Sequence, residues 1–170
     1  MYDILKCIIK QIIFMNWNSP RKHTVYEALS AIADERVKVV DQSTAHVYST
    51  SGNKYYIVKF NLQENAIMSN DNMAYYVGEI SYPMVAIFLI NNLYSYDTNI
   101  LEHFKNIKWK DINQKNKNDF MKSVEQVLEN LKDNGVDIEY IQKEVDRIYE
   151  VILDTNFVHL GNKMRPPSVY

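Results

Sequence analysis

The chain has 170 residues, 46% of them apolar, and a formal net charge of -2. That length suits one domain (residues 1–170) with a sizeable core. The near-balanced charge excludes a global attraction to nucleic acid or acidic membranes, so either partner would need a local patch. A single cysteine, Cys7, excludes an internal disulfide and points to a cytoplasmic protein.

At the start, Ile4, Leu5, Ile8, Ile9, Ile12 and Ile13 recur at helical spacing with Lys6 and Lys10 between them, which predicts an amphipathic helix. The lysines interrupt the apolar run that a signal peptide needs, and the stretch falls short of the roughly 20 residues of a membrane span. Its apolar side offers a surface to a protein partner or packs on its own domain. Met15 is an alternative start to Met1. Residues 16–23 are polar, contain Pro20 and read as a linker. Thr24 then reads as the cap of a helix with Val25, Ala28, Leu29, Ile32 and Ala33 on one side and Glu27 as capping-box partner.

A short strand over residues 36–40 leads into a hairpin of residues 45–50 and 54–60, joined by Ser51-Gly52-Asn53. Gly52 supplies the positive φ a tight turn needs. Alternation sends Tyr56, Val58 and Phe60 to one face, and Tyr55, Ile57 and Lys59 to the other. A polar loop over residues 69–72 precedes Pro83, whose missing N–H suits a first helical turn. The run over residues 84–90 is apolar all round, which predicts that the helix over residues 84–93 is the most buried of the chain, set between the hairpin and the C-terminal helices.

Residues 28–89 resemble the SWIM domain, a ββα zinc finger with Cys-x-Cys after the second strand and Cys-x-His at the start of the helix. The likeness rests on Ala31-Ile32-Ala33-Asp34-Glu35-Arg36-Val37, on Val47-Tyr48-Ser49-Thr50-Ser51-Gly52 with Tyr55-Tyr56-Ile57-Val58, and on Val85-Ala86-Ile87-Phe88-Leu89. The family's ligand positions fall near Ser69 and Asp71 and near Ser81 and Pro83, a set that lacks the donors zinc requires. The resemblance therefore implies a SWIM-like core without metal or other cofactor, with Tyr75, Tyr76 and Tyr82 available to fill the vacated volume. It also implies nucleic-acid binding or a protein–protein adaptor role.

Further on, Asp97 or Thr98 caps a short helix over residues 99–105. Asn118 or Asp119 caps a longer one carrying Phe120, Val124, Val127, Leu128 and Leu131, and Gly135 ends it. Asp137 caps the last helix, with Ile138, Ile141, Val145, Ile148 and Ile152 inward and Glu139 spaced to pair with Lys143. The two form a helical hairpin, and residues 159–170 are expected to fray. The fold class is thus α+β: N-terminal helices (residues 1–22 with the linker), a hairpin packed on a buried helix (24–93), a C-terminal helical hairpin (97–155) and a tail (156–170).

Residues 103–117 hold five lysines against one Asp, with Trp109 among them. Lys105, Lys108, Lys110, Lys115 and Lys117 on one face near the hairpin would suit phosphates, and an exposed Trp109 would stack on an unpaired base. Otherwise the segment is a solvated connection with Trp109 pinned in the core. The scattered His23, His46, His103 and His159, and the absence of HExxH, Gly-rich phosphate loop or nucleophile elbow, favour a non-enzymatic protein. The Ser69, Asp71 and Asn72 loop reads as a turn former rather than a metal site. DNA or RNA on the lysine segment and a protein on the N-terminal helix or hairpin edge remain the two partner classes, and the oligomeric state is left open.

Overall fold

The computed structural model describes residues 15–168. Strands β1 (Val37–Asp41), β2 (Thr44–Tyr48) and β3 (Tyr55–Asn61) form an antiparallel meander whose faces follow the alternation in the sequence. Ala45, Val47, Val58 and Phe60 are buried, while Tyr55 and Lys59 are exposed. Directly opposed residues share a face. The register Lys38–His46, His46–Ile57 and Tyr48–Tyr55 therefore gives the sheet an outer face that is aromatic and basic. Gly52 turns β2 into β3 at φ +71°, in the left-handed region.

Two further strands complete a sheet of order β1-β2-β3-β4-β5: β4 (Ala66–Ser69) runs antiparallel to β3, and β5 (Val158–His159) parallel to β4. All four residues of β4 are buried. A strand covered on both faces shows no alternation, so no period in the sequence marks it.

The ends of the described chain are what cover β4, and they correct two expectations. Residues 16–23 are not a free linker, because the buried Trp17 donates Nε1–H to the Ile67 carbonyl at 3.0 Å and stacks on His159 at 3.8 Å. The tail does not fray at His159. Leu160 N–H donates to Ile67 O at 3.0 Å, and Lys163 Nζ to Tyr75 O at 3.2 Å. The amphipathic helix expected over residues 4–13, and Cys7, lie outside the described residues.

Helix α1 (His23–Ala33) starts one residue before the predicted cap, so Thr24 sits inside it and donates to Arg21 O at 2.6 Å instead of capping. Helix α2 (Tyr82–Ile90) follows Ser81, with Pro83 in its first turn and every residue from Pro83 to Leu89 buried. It lies between the sheet and α1, and it is α1 that meets the C-terminal helices. The expected direct sandwich of α2 between hairpin and helical pair is therefore corrected by one inserted layer. Phe88 still reaches the C-terminal part, stacking face to face on Phe157 at 4.1 Å and meeting Tyr94 edge-on at 6.2 Å.

The rest follows the predicted caps. Asp97 accepts Asn99 N–H at the start of the 3-10 helix Thr98–Phe104. Residues 109–115, expected as a connection, form a short helix α3 (Trp109–Lys115). Asp119 caps α4 (Phe120–Asp133) and Asp137 caps α5 (Ile138–Leu153). Val124, Val127 and Leu128 face Ile141, Val145, Ile148 and Ile152 as buried stripes. Glu139 and Lys143 do not pair; Arg147 instead pairs with Glu144 at 2.6 Å. Among the described residues no helix is long and apolar enough to cross a membrane.

Phe88→Ala empties the meeting point of α2, Tyr94 and Phe157. It should destabilise the protein by about 3–5 kcal/mol, read as a shift in the urea midpoint. A loss under about 1 kcal/mol would mean that α2 is not the centre of the core.

Candidate functional site

Three of the four degenerate ligand positions come together. Asp71 Oδ2 accepts from Ser69 Oγ at 2.6 Å and from Ser81 Oγ at 2.5 Å, and Oδ1 accepts the Ala74 backbone N–H at 3.0 Å. Ser69, Asp71 and Ser81 are buried, as is the neighbouring Pro83. This knot ties the end of β4 to the start of α2 through a carboxylate whose acceptors are met by three donors, the condition under which a buried charge is tolerated. The loop turns as a turn former does, with Asp71 Oδ1 bonded to the Ala74 N–H, and it is also a packed junction. Tyr76 does not fill a vacated volume: it is 72% exposed, and Tyr75 is half-buried beside it. Among the described residues no group of three or more His, Cys, Asp and Glu is placed to hold a metal.

The lysine segment divides around α3. All five of Lys105, Lys108, Lys110, Lys115 and Lys117 are exposed, but helical geometry at about 100° per residue places Lys110 roughly 160° around α3 from Lys108. Lys115 falls beside Lys108, so the expected single face is not formed. Trp109 is 3% exposed, which buries the ring expected to stack on a base. It occupies the side of α3 that turns towards α1, where Asn113 Nδ2 donates to Glu27 Oε1 at 3.0 Å.

Lys110 is the lysine that meets the sheet. It joins Lys54, Tyr55, Ile57, Asn70 and Pro167 around an open groove of about 580 Å³ on the outer face, with no carboxylate among the described residues of its lining. Tyr55 is 40% exposed and stacks on His46 at 4.3 Å. The tail residues Pro167 and Ser168 form part of the wall.

Behind the groove lies a second cavity of about 240 Å³ that shares Ser51, Lys54 and Lys110 with it. Glu27, Tyr56, Tyr82, Trp109 and Asn113 form its inner lining, and Arg36 joins Lys54 and Lys110 as the basic members. A third hollow of about 220 Å³ continues past Glu27, Tyr56 and Tyr82 to Asp71 and His23. Burial pushes Glu27 up to about 7, with the Asn113 hydrogen bond and Arg36 opposing and Asp71 adding to the rise. Burial raises Tyr56 to about 12 and, reinforced by the charge of Tyr56, Tyr82 well above the ordinary phenol value. As a capping-box partner Glu27 escapes notice as a site residue. The available signal is that it is the only Asp, Glu, Lys or Arg among the eleven residues of α1.

A family model matches residues 17–158 of the chain, Uncharacterised conserved protein UCP014422. No curated protein and no solved structure matches it.

Two outcomes test the site's energetics. Asp71→Ala leaves two hydroxyls and one buried N–H to find new partners and should cost about 2–4 kcal/mol in chemical denaturation; an unchanged midpoint would show that the knot does not hold β4 to α2. Glu27 is protonated in both states at low pH. As pH rises from the unfolded value of 4.5 towards about 7, only the unfolded chain releases the proton, so the contribution of Glu27 to stability falls across that window by about 3–4 kcal/mol. Glu27→Gln should remove this contribution, so the variant gains on the wild type as pH rises through the window and is the more stable protein at neutral pH and above, which melting curves of both proteins across the window would check.

Proposed function

The chain belongs to the UCP014422 family, and we propose that it is a non-enzymatic module that binds single-stranded nucleic acid along the groove on the outer face of its sheet. The carrying observation is that Lys54 and Lys110, from different parts of the chain, line one groove with the exposed ring of Tyr55 and no opposing carboxylate among the described residues. Lysines placed on phosphates release counterions, and an exposed ring offers a stacking surface to an unpaired base. Basic and aromatic side chains on the same face extend this surface: Lys38, His46 and Ile57 stand in register across three strands, with Tyr48 opposite Tyr55. The SWIM resemblance points the same way. The meeting of Ser69, Asp71 and Ser81 supports reading residues 28–89 as a SWIM-like module in which a hydrogen-bonded knot stands where that family holds zinc.

In this reading the base-stacking role moves from Trp109 to Tyr55, and Lys110 carries more of the binding than Lys105, Lys108, Lys115 or Lys117. A second reading, a protein–protein adaptor, is favoured by β1. It is an edge strand of the sheet, and Val39 and Val40 are 61% and 56% exposed on it. An open strand edge with apolar side chains is a template for strand addition.

Fluorescence anisotropy with single-stranded and duplex oligonucleotides at two salt concentrations separates the readings. Lys54→Gln and Lys110→Gln should each weaken binding and reduce the salt slope by about one unit for each phosphate left without its lysine, with Lys108→Gln changing less. Tyr55→Ala should weaken single strands more than duplexes. Absence of any binding by the wild type at low salt would remove the nucleic-acid reading and leave the adaptor.

A further inference from the structure

We infer that the cavity behind the groove receives one unpaired base of the bound strand, a base that carries an amino group, and that Glu27 is the residue that reads it. The inference rests on the strand-binding reading above and adds selectivity to it. The cavity's polar atoms define what a guest must bring. Asn113 Nδ2 donates to Glu27 Oε1 at 3.0 Å, which fixes the amide orientation and leaves Asn113 Oδ1 as an acceptor with no partner among the described residues. The buried Nε1–H of Trp109 is a donor with no partner. Buried polar groups are ordinarily satisfied; these two are closed to a water-sized guest on two residues that line the cavity, so they pair with a guest carrying both a donor and an acceptor only once the Trp109 and Asn113 side chains shift to admit it. The edge of a nucleobase has both.

The walls and the mouth agree with that guest. The rings of Tyr56 and Tyr82 meet edge to face at 6.2 Å beside Trp109, giving a planar ring aromatic surroundings. A volume of about 240 Å³ admits a single base and not a base pair. Lys54 and Lys110 belong to both the cavity and the groove. A base held inside can therefore leave its phosphate on these lysines while the strand continues outside, which favours a nucleotide within a chain over a free one. A carboxylate accepts from an exocyclic amino group, as in its pairing with cytosine N4. It meets two carbonyls flanking a single N–H on thymine or uracil, which disfavours those bases.

The test uses the full chain with labelled oligo-deoxycytidine, oligo-deoxyadenosine and oligo-thymidine of equal length at fixed salt. Wild-type protein at about pH 8, above the range in which Glu27 titrates, should bind the two amino-bearing strands about tenfold more tightly than oligo-thymidine. Glu27→Gln keeps an oxygen for Asn113 and removes the charge; it should bring the three affinities together, with a melting curve confirming the fold. Lys110→Gln should weaken all three alike and keep the order. Equal wild-type affinities, or an order that survives Glu27→Gln, would overturn the base-reading role while leaving strand binding in place. Failure of the wild type to bind any strand would overturn the strand-binding reading and this inference with it.

Discussion

The junction between β4 and α2 depends on one carboxylate. Asp71 takes hydrogen bonds from Ser69 at the end of β4, from Ala74 within its own turn and from Ser81 just before α2. A side chain of this length reaches both elements only if they enter the turn side by side. Once it does, the direction of α2 across the sheet is set. From that direction follow the burial of α2 on all sides, the placement of α1 over it, and the stacking of Phe88 on Phe157. A hydrogen-bonded carboxylate and a metal solve the same problem, holding a short strand–turn–helix unit whose own hydrophobic area is small. The carboxylate does so only while buried with its donors in place, so this solution calls for the well-packed surroundings the chain supplies.

Those surroundings come from both ends of the described chain. Trp17 and the segment from Phe157 to Leu160 close over β4 and bond to the same carbonyl, that of Ile67, Trp17 through Nε1 and Leu160 through its backbone. Without them the side of β4 away from β3 would stand open, and an uncovered edge on a largely apolar strand is a point of aggregation. The arrangement demands long-range order, because strand β5 must return across most of the sequence to pair with β4.

Local signals in the sequence are legible where one residue decides the local geometry. Gly52 in its turn, Pro83 at the start of α2 and Asp97, Asp119 and Asp137 at their helix starts each act through the backbone beside them. What is not legible depends on distant partners. Four buried residues of β4 have no period to reveal them. Helix α3 is hidden because Lys, Asn and Gln suit a solvated connection as well as a short helix whose inner side is Trp109, Ile112 and Asn113. The spacing of Thr24 and Glu27 matches a capping box, yet the helix begins at His23, which turns Glu27 from the helix end towards Asn113. The lysine cluster is visible as composition, but only the position of α3 shows that Lys110 parts from Lys108 and Lys115.

Helix α1 carries two groups that titrate between acidic and neutral pH, His23 and Glu27, and they act on stability in opposite senses. His23 is stacked on Phe120 at 4.3 Å, and burial, aided by the charge of Arg21, lowers it from 6.5 to about 4. The unfolded chain therefore takes up this proton first as pH falls below 6.5, and stability declines with falling pH down to about 4. Glu27, raised from 4.5 to about 7, gives the reverse: stability declines with rising pH across its window. Between 4.5 and 6.5 the two windows overlap, and the opposing slopes largely cancel. The helix can thus hold an ionisable carboxyl against an interior cavity without making the fold steeply pH-dependent over that range. Above it only Glu27 still titrates, so changes there act on the cavity while His23 stays neutral and packed. That separation assigns His23 to the core and leaves Glu27 as the group of α1 whose charge still changes near neutral pH.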